Sequence, residues 1–174
     1  MRLARTRLTW IAIAFVALAL GALFYAIARP HPAAFLPAGW HRPVLAITSY
    51  PLATGFAGAL PTFLHAAAMS LLVATASRAA TPYGRGLCCA TVCAVEIAFE
   101  VAQHPVVAAA LLGSAPASAM TGGIDRALRS YLTHGTFDPL DLLGACAGCL
   151  VAFTVLGRAA HDRQTSLGAR HAAA

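Results

Sequence analysis

Four apolar stretches, each close to the length that crosses a lipid bilayer, constrain this sequence more than any other feature. A transmembrane helix needs about 20 mostly apolar residues, and the stretches cover residues 8–28, 56–77, 87–104 and 139–157. Of the 174 residues, 59% are hydrophobic and only 10% are charged, whereas roughly 25% are charged in a typical soluble domain. The pattern therefore predicts an all-α integral membrane bundle of about four transmembrane helices, with residues 1–157 as a single domain.

The segments between and after the stretches are less regular. Ala26-Ile27-Ala28 is similar to a signal-peptide cleavage site, but the apolar run before it is longer than the roughly 7–15 residues of a signal peptide, which favours an uncleaved span. Residues 105–121 are interrupted by Gly113 and Pro116, so a half-helix, a re-entrant segment and a loop all stay open. Residues 158–174 are polar and alanine-rich, which predicts a poorly ordered cytoplasmic tail.

The distribution of arginine predicts the orientation in the membrane. All twelve basic residues are arginines and the net charge is +6. They form no stripe along one element, which argues against a nucleic-acid partner. If each stretch crosses the bilayer, eight arginines lie on the side of the termini and four on the other. Because cytoplasmic loops carry the excess of positive charge, we expect both termini in the cytoplasm.

The stretch VEIAFEVAQH places polar residues inside the third apolar run. Glu96, Glu100 and Gln103 are spaced i, i+4, i+7 and share one helix face, with His104 beside it. A charge that faces lipid at mid-membrane costs about 2.5–3.5 kcal/mol on insertion scales, so this face should point into the bundle. Counting about 1.5 Å per residue from the span ends brings His65 to the depth of Glu96, and we expect the two to pair.

A second polar group opens the fourth stretch. Asp138-Pro139 is a helix-start signal, and the helix dipole favours a carboxylate at Asp141 in the first turn. His134 lies just before this start, and Glu100, Gln103 and His104 should reach a similar level. Candidate acid–base residues are therefore Glu100, Asp141 and Asp138; candidate binding residues are Gln103, His104, His134, His65 and Glu96.

Cysteines and glycines in the apolar stretches are interpreted as packing residues. Cys146-x-x-Cys149 has a spacing found in redox and zinc sites, but all five cysteines lie in apolar runs, where cysteine acts as a small packing residue. We therefore predict no metal and no cofactor. Gly144 and Gly148 form a GxxxG pattern, which permits close helix approach, and we expect it to contact the third span.

The segment GTFDPLDLLGACAG resembles the last span of the VanZ-like family of small integral membrane proteins. Phe137, Asp138, Asp141 and Gly148 match its F-D pair, second aspartate and glycine. Glu100 and Gln103 resemble a glutamate and a glutamine of the preceding span, and His65 resembles a histidine of an earlier helix. The chain departs from the pattern where Pro61 and Thr62 replace an Asp-Lys pair, where Ala145 replaces an asparagine, and where Gly135 and Thr136 replace a basic residue.

The resemblance implies a multi-pass protein of the bacterial inner membrane with a role in the cell envelope. One member of the family is linked to low-level resistance to the glycopeptide teicoplanin, and no biochemical activity is settled for the family. The expected partners are the lipid bilayer and either an envelope lipid or a glycopeptide.

Three hypotheses follow, in this order. The first is a binding or structural protein whose polar residues hold helices together. The second is an intramembrane enzyme acting on an envelope lipid or peptidoglycan precursor. The third is a small proton-coupled carrier that uses Glu96, Glu100 and His65. We expect Glu100, rather than Glu96, to lie nearest any functional site, and Glu96 mainly to stabilise. The residues leave open whether the chain is an enzyme and how many copies assemble.

Overall fold

Helices account for every regular element that the computed structural model describes. The backbone is described for residues 2–28, 51–114 and 123–172, and no strand occurs in these ranges. The elements are α1 (Arg2–Ala28), α2 (Pro51–Ala76), α3 (Pro82–Ala102), α4 (Pro105–Ser114), α5 (Gly123–His134) and α6 (Pro139–Ala172). The predicted all-α class is confirmed.

Among the described residues, three helices are long and apolar enough to cross a membrane, in the ranges Thr6–Phe24, Gly58–Ala76 and Pro139–Arg158. A fourth span exists only if α3 and α4 count together, as a pair bent by 84°. The break falls at Pro105, as the sequence predicts, because proline lacks the N–H of a helical hydrogen bond and disfavours helical geometry in the preceding residue. Residues 105–114 are thus a short helix at a steep angle to α3, and residues 115–121 lie outside the described part.

Helix α2 is the centre of the bundle, since it packs against α1, α3 and α6. The contact with α6 is the closest. A Cβ atom on Gly144 would meet the Ala59 carbonyl oxygen at 2.8 Å, and one on Gly148 would overlap the Phe63 carbonyl oxygen. The predicted partner of the GxxxG pattern was therefore wrong: Gly144 and Gly148 seat α6 on α2, not on α3. Because glycine has no side chain, the backbones of α2 and α6 can approach each other closely at these two positions.

Small side chains fill the rest of the core. Ser70 is fully buried and donates a hydrogen bond to Cys149 Sγ at 3.4 Å. The other members of the core are mostly alanines and cysteines: Ala14, Ala66, Ala68, Leu71, Ala74, Cys89, Val92, Ala145, Cys149, Ala152 and Leu156. This composition suits a bilayer, where close van der Waals packing of small residues replaces the hydrophobic effect between helices.

The turn between α2 and α3 is held by its own backbone and by a buried arginine. Arg78 adopts φ 55°, and the amide of Ala79 donates to the Ala74 carbonyl at 3.1 Å, closing the end of α2. Arg85 is buried and donates from Nη1 to the Leu156 carbonyl on α6 at 2.7 Å. This arginine therefore ties α3 to α6.

Two helices are longer than the predicted spans. Helix α6 continues past residue 157 through the polar tail to Ala172, because charged and alanine residues are good helix formers. The second stretch begins earlier than predicted, at Pro51, and Pro61 lies inside the helix.

Candidate functional site

The predicted polar residues meet in two places. One is at the end of the bundle where α6 begins, and is called here the Asp138 cluster (Thr62, Glu100, Asp138 and Asp141). The other lies deeper, between α2 and α3, where His65 and Glu96 pair. The two are described in turn because their surroundings differ.

Asp138 links the start of α6 to α3. Its Oδ1 accepts a hydrogen bond from the backbone N–H of Leu140 at 2.9 Å, as expected of a helix N-cap. Its own backbone N–H donates to Glu100 Oε1 at 2.7 Å. Glu100 is 9% exposed, so the carboxylate satisfies a backbone donor that precedes the helix. The predicted N-cap is confirmed, and Glu100 lies at its level.

Asp141 links the same turn to α2. Its side chain is 3% exposed, and Oδ1 accepts a hydrogen bond from Thr62 Oγ1 at 2.9 Å. A carboxylate taken out of water needs such donors, because burying an unpaired charge is far more costly than burying a paired one. Thr62 was noted in the sequence only as a departure from the VanZ-like pattern; its contact with Asp141 comes from the packing of α2 against α6.

Gln103 and His104 extend this end of the bundle toward α5 and the turn before α6. Gln103 Nε2 donates to the Tyr131 hydroxyl, which donates in turn to the Phe99 carbonyl at 3.2 Å. The rings of Phe99 and Tyr131 meet edge to face at 5.9 Å, and His104 and Phe137 do so at 5.2 Å. These contacts attach α5 to the end of α3.

Tyr131 is a site residue that the sequence analysis missed. A signal existed, because Ile124, Leu128, Tyr131 and Leu132 are spaced i, i+4, i+7, i+8 and mark an apolar face of α5. The backbone of His134 ends α5, whereas its side chain lies outside the described residues, so its predicted role stays a prediction.

The predicted pair of His65 and Glu96 is confirmed, with His65 Nδ1 2.8 Å from Glu96 Oε1. The His65 side chain is 51% exposed and that of Glu96 is 16% exposed. The pair therefore differs from the buried carboxylates of the Asp138 cluster, because one of its members is accessible from outside the bundle.

This pair borders a groove of about 380 Å³ between α1, α2 and α3, called here the His65 groove. Its lining is apolar except for three side chains, and it consists of Leu18, Gly21, Ala22, Pro61, Thr62, His65 and Glu96. Thr62 faces both places, since its hydroxyl also donates to Asp141. The volume lies within the roughly 300–1,000 Å³ of small-molecule pockets.

The two glutamates of α3 differ in their surroundings. Glu100 accepts a hydrogen bond from a backbone N–H at the start of α6, whereas Glu96 lines the His65 groove. The neighbours that α1 and α2 provide for Glu96 are not encoded by any spacing in the sequence. The expectation that Glu100 lies nearest any functional site stays a prediction.

The thiols form contacts of their own. Cys93 Sγ on α3 lies 3.7 Å from Cys146 Sγ on α6, while Cys149 is buried and accepts from Ser70. Within the described ranges, no three histidine, cysteine, aspartate or glutamate side chains stand close enough together to hold a metal ion. Both sulfurs of Cys146-x-x-Cys149 therefore lie near Cys93, and that of Cys149 also meets Ser70.

No protein family, curated protein or solved structure matches this chain.

Proposed function

We propose that the chain is a multi-pass protein of the bacterial inner membrane, VanZ-like, with both termini in the cytoplasm, and that it acts in the cell envelope by binding. The Asp138 cluster then faces the periplasm. The arginine count supports this orientation, because eight of the twelve arginines lie on the side of the termini.

The observation that carries the proposal is that four residues of the resemblance, Glu100, Phe137, Asp138 and Asp141, lie at one end of the bundle and are joined there with Thr62 and His104. Glu100 accepts from the backbone of Asp138, Asp141 accepts from Thr62, and the ring of His104 meets that of Phe137 edge to face. Residues from three helices therefore form one connected group at a single end of the bundle. A role in the response to teicoplanin-type glycopeptides fits this end, because such compounds act outside the cytoplasmic membrane.

Binding is favoured over catalysis by the state of the buried carboxylates. Glu100 and Asp141 each accept hydrogen bonds from the protein and are nearly enclosed. An acid–base pair must instead come within hydrogen-bond reach of a substrate. The enzyme hypothesis would require the Asp138 cluster to open.

The test is the teicoplanin susceptibility of a susceptible bacterium that expresses the chain. We expect the wild type to raise the minimal inhibitory concentration and Glu100→Gln to abolish the increase. Glutamine keeps an oxygen that can accept from Asp138, so the folded yield in the membrane should be unchanged. Glu96→Gln is the matched control on the same helix face, and it should retain the phenotype. No change in susceptibility with the wild type would contradict the glycopeptide role.

A proton-coupled carrier is the second candidate, and the His65–Glu96 pair favours it. An ionisable pair inside a membrane span is the usual element of a proton pathway, and this pair borders the groove. Proteoliposomes containing a pH-sensitive dye would reveal proton flux, which Glu96→Gln should abolish and Glu100→Gln should leave intact. Flux equal to that of empty vesicles would exclude the carrier.

A further inference from the structure

The His65 groove places an accessible polar pair where a lipid-facing surface should be apolar. His65 lies seven residues from Gly58, Glu96 six residues from Ala102, and Leu18 six residues from Phe24. At 1.5 Å per residue, all three sit roughly 10 Å below the same end of their helices. With the helices in a bilayer, the groove is therefore inside the hydrocarbon core.

The polar atoms of the groove define what can bind there. His65 Nδ1 is engaged with Glu96, which leaves Nε2 as the imidazole nitrogen that can meet a ligand. When one proton is shared between His65 Nδ1 and the Glu96 carboxylate, the pair carries no net charge and Nε2 keeps its hydrogen. The site therefore suits a neutral ligand with an oxygen atom that hydrogen-bonds to the imidazole, and an apolar body that fills the remaining lining.

Two other occupants fit less well. A phospholipid carries its polar atoms at the membrane interface, so reaching His65 would draw a headgroup about 10 Å into the hydrocarbon. A second copy of the chain would need a polar side chain at this depth to meet His65. Its own His65 and Glu96 are engaged with each other, and Thr62, Glu100 and Asp141 also have partners within their own bundle in the described part of the chain.

We infer that the His65 groove binds an isoprenoid quinone, a neutral lipid that carries its carbonyl oxygens within the hydrocarbon core. One carbonyl would accept from or share a proton with His65 Nε2, and the isoprenoid chain would lie along Leu18, Gly21 and Ala22 of α1. The inference goes beyond the proposed envelope role and rests only on the helices lying in a membrane. It involves binding alone, with no change in the redox state of the protein.

The experiment is a titration of the purified full chain in detergent with decylubiquinone, followed by native mass spectrometry. We expect one saturable adduct per chain. Ala22→Phe should fill the groove without touching the polar pair and should weaken binding at least tenfold. Ala12→Phe is the control, because Ala12 is exposed on the same helix and does not line the groove; it should bind as the wild type does.

A second variant tests the hydrogen bond. His65→Phe keeps a ring and removes the polar atoms, and the loss of one hydrogen bond should weaken binding roughly tenfold. Thermal unfolding in the same detergent reports whether each variant folds. The inference is overturned if no saturable adduct forms, if Ala22→Phe binds like the wild type, or if Ala22→Phe removes a co-purified phospholipid and not the quinone. None of these outcomes depends on the teicoplanin phenotype.

Discussion

Among the described residues, Arg78 is the non-glycine residue with a left-handed backbone conformation. It sits just past the end of α2 with φ 55°, and its amide donates to the Thr75 carbonyl at 3.4 Å while Ala79 donates to Ala74. This is the pattern of a Schellman motif, in which glycine is the preferred residue at this position. The left-handed region costs an L-residue about 1 kcal/mol or more, and glycine avoids that cost.

Arg78→Gly should therefore stabilise the protein. We expect a gain of about 1 kcal/mol, or roughly 2–4 °C in the midpoint of thermal unfolding for a chain of this length. Circular dichroism on purified protein in detergent measures it. Arg78→Ala is the control, because alanine removes the charge but keeps the strained φ; an equal gain with alanine would show that charge, not backbone strain, is the cause.

Glu100 is a second residue that affects stability by itself, because its carboxylate accepts a hydrogen bond from the backbone N–H of Asp138. Glu100→Ala leaves the Asp138 N–H without its acceptor, and an unsatisfied buried donor costs about 1–3 kcal/mol. The midpoint of thermal unfolding should fall clearly in Glu100→Ala. It should fall less in Glu100→Gln, because glutamine keeps an acceptor. Equal losses in both variants would mean that the charge itself, rather than the hydrogen bond, holds α6 to α3.

At the scale of elements, the contact between α2 and α6 depends on two glycines that face backbone. A Cβ on Gly148 would overlap the Phe63 carbonyl oxygen and come within 3.0 Å of the Ala67 nitrogen. Backbone atoms inside a helix cannot rotate away as a flexible side chain can. The two helices would have to separate, which would also disturb the contact between Thr62 and Asp141.

Gly148→Ala should consequently lower stability although it adds only one methyl group. Gly157→Ala is the matched control on the same helix, because a Cβ there meets nothing within 4 Å. Alanine is favoured over glycine in a helix by about 1 kcal/mol, so the control should be neutral or stabilising. Thermal unfolding of the two variants side by side gives the comparison; Gly148→Ala matching Gly157→Ala would mean that α2 and α6 are further apart than described.

The junction of α3 and α6 offers a chemical test of element placement. Cys93 Sγ and Cys146 Sγ lie 3.7 Å apart, close enough for copper–phenanthroline to join them in a disulfide. Mass spectrometry of the oxidised protein should find this pair linked, and Cys93→Ala should abolish the link. A link between Cys88 and Cys146 instead would indicate a different register of α3 on α6.

For the whole molecule, the arrangement of arginines relative to the spans determines the predicted orientation. Arg78 and Arg85 both lie at the end of the bundle where α2 joins α3, and Arg158 closes the apolar part of α6 at the same end. Arg85 contributes there as a structural contact as well, through the Leu156 carbonyl. The opposite end carries the Asp138 cluster and, on α5, Arg126 and Arg129, so the two ends differ in the excess of arginine.

Reporter fusions test this orientation. A reporter active only in the cytoplasm should work when fused after Ala80 or Arg158, and one active only in the periplasm should work when fused near Gly122. We expect this orientation because segments rich in arginine are retained on the cytoplasmic side of the membrane. A C-terminus that reports as periplasmic would show that α3 and α4 do not together form the fourth span.

The sequence by itself determined the helical class and the apolar stretches that supply three helices, or four with the bent pair, long enough to cross a membrane. Long apolar runs can satisfy their backbone only as helices in a bilayer, and prolines mark where α3 and α4 meet. The Asp138-Pro139 start of α6 and the pairing of His65 with Glu96 also follow from the sequence, because helix geometry converts residue number into depth. Depth along a helix shows which residues lie at the same level, but it does not show which helices are neighbours.

Only the tertiary structure decided which helices and side chains contact one another. In the structure, Gly144 and Gly148 contact α2 instead of α3. Thr62 donates to Asp141, and Arg85 is buried against α6. The tertiary structure also encloses Glu100 while leaving Glu96 beside the His65 groove. The physical reason is that packing between helices with small side chains depends on how two whole helix surfaces fit together. Several alanine-rich faces of this chain are similar, so the sequence does not determine which two faces pack until all helices are in place.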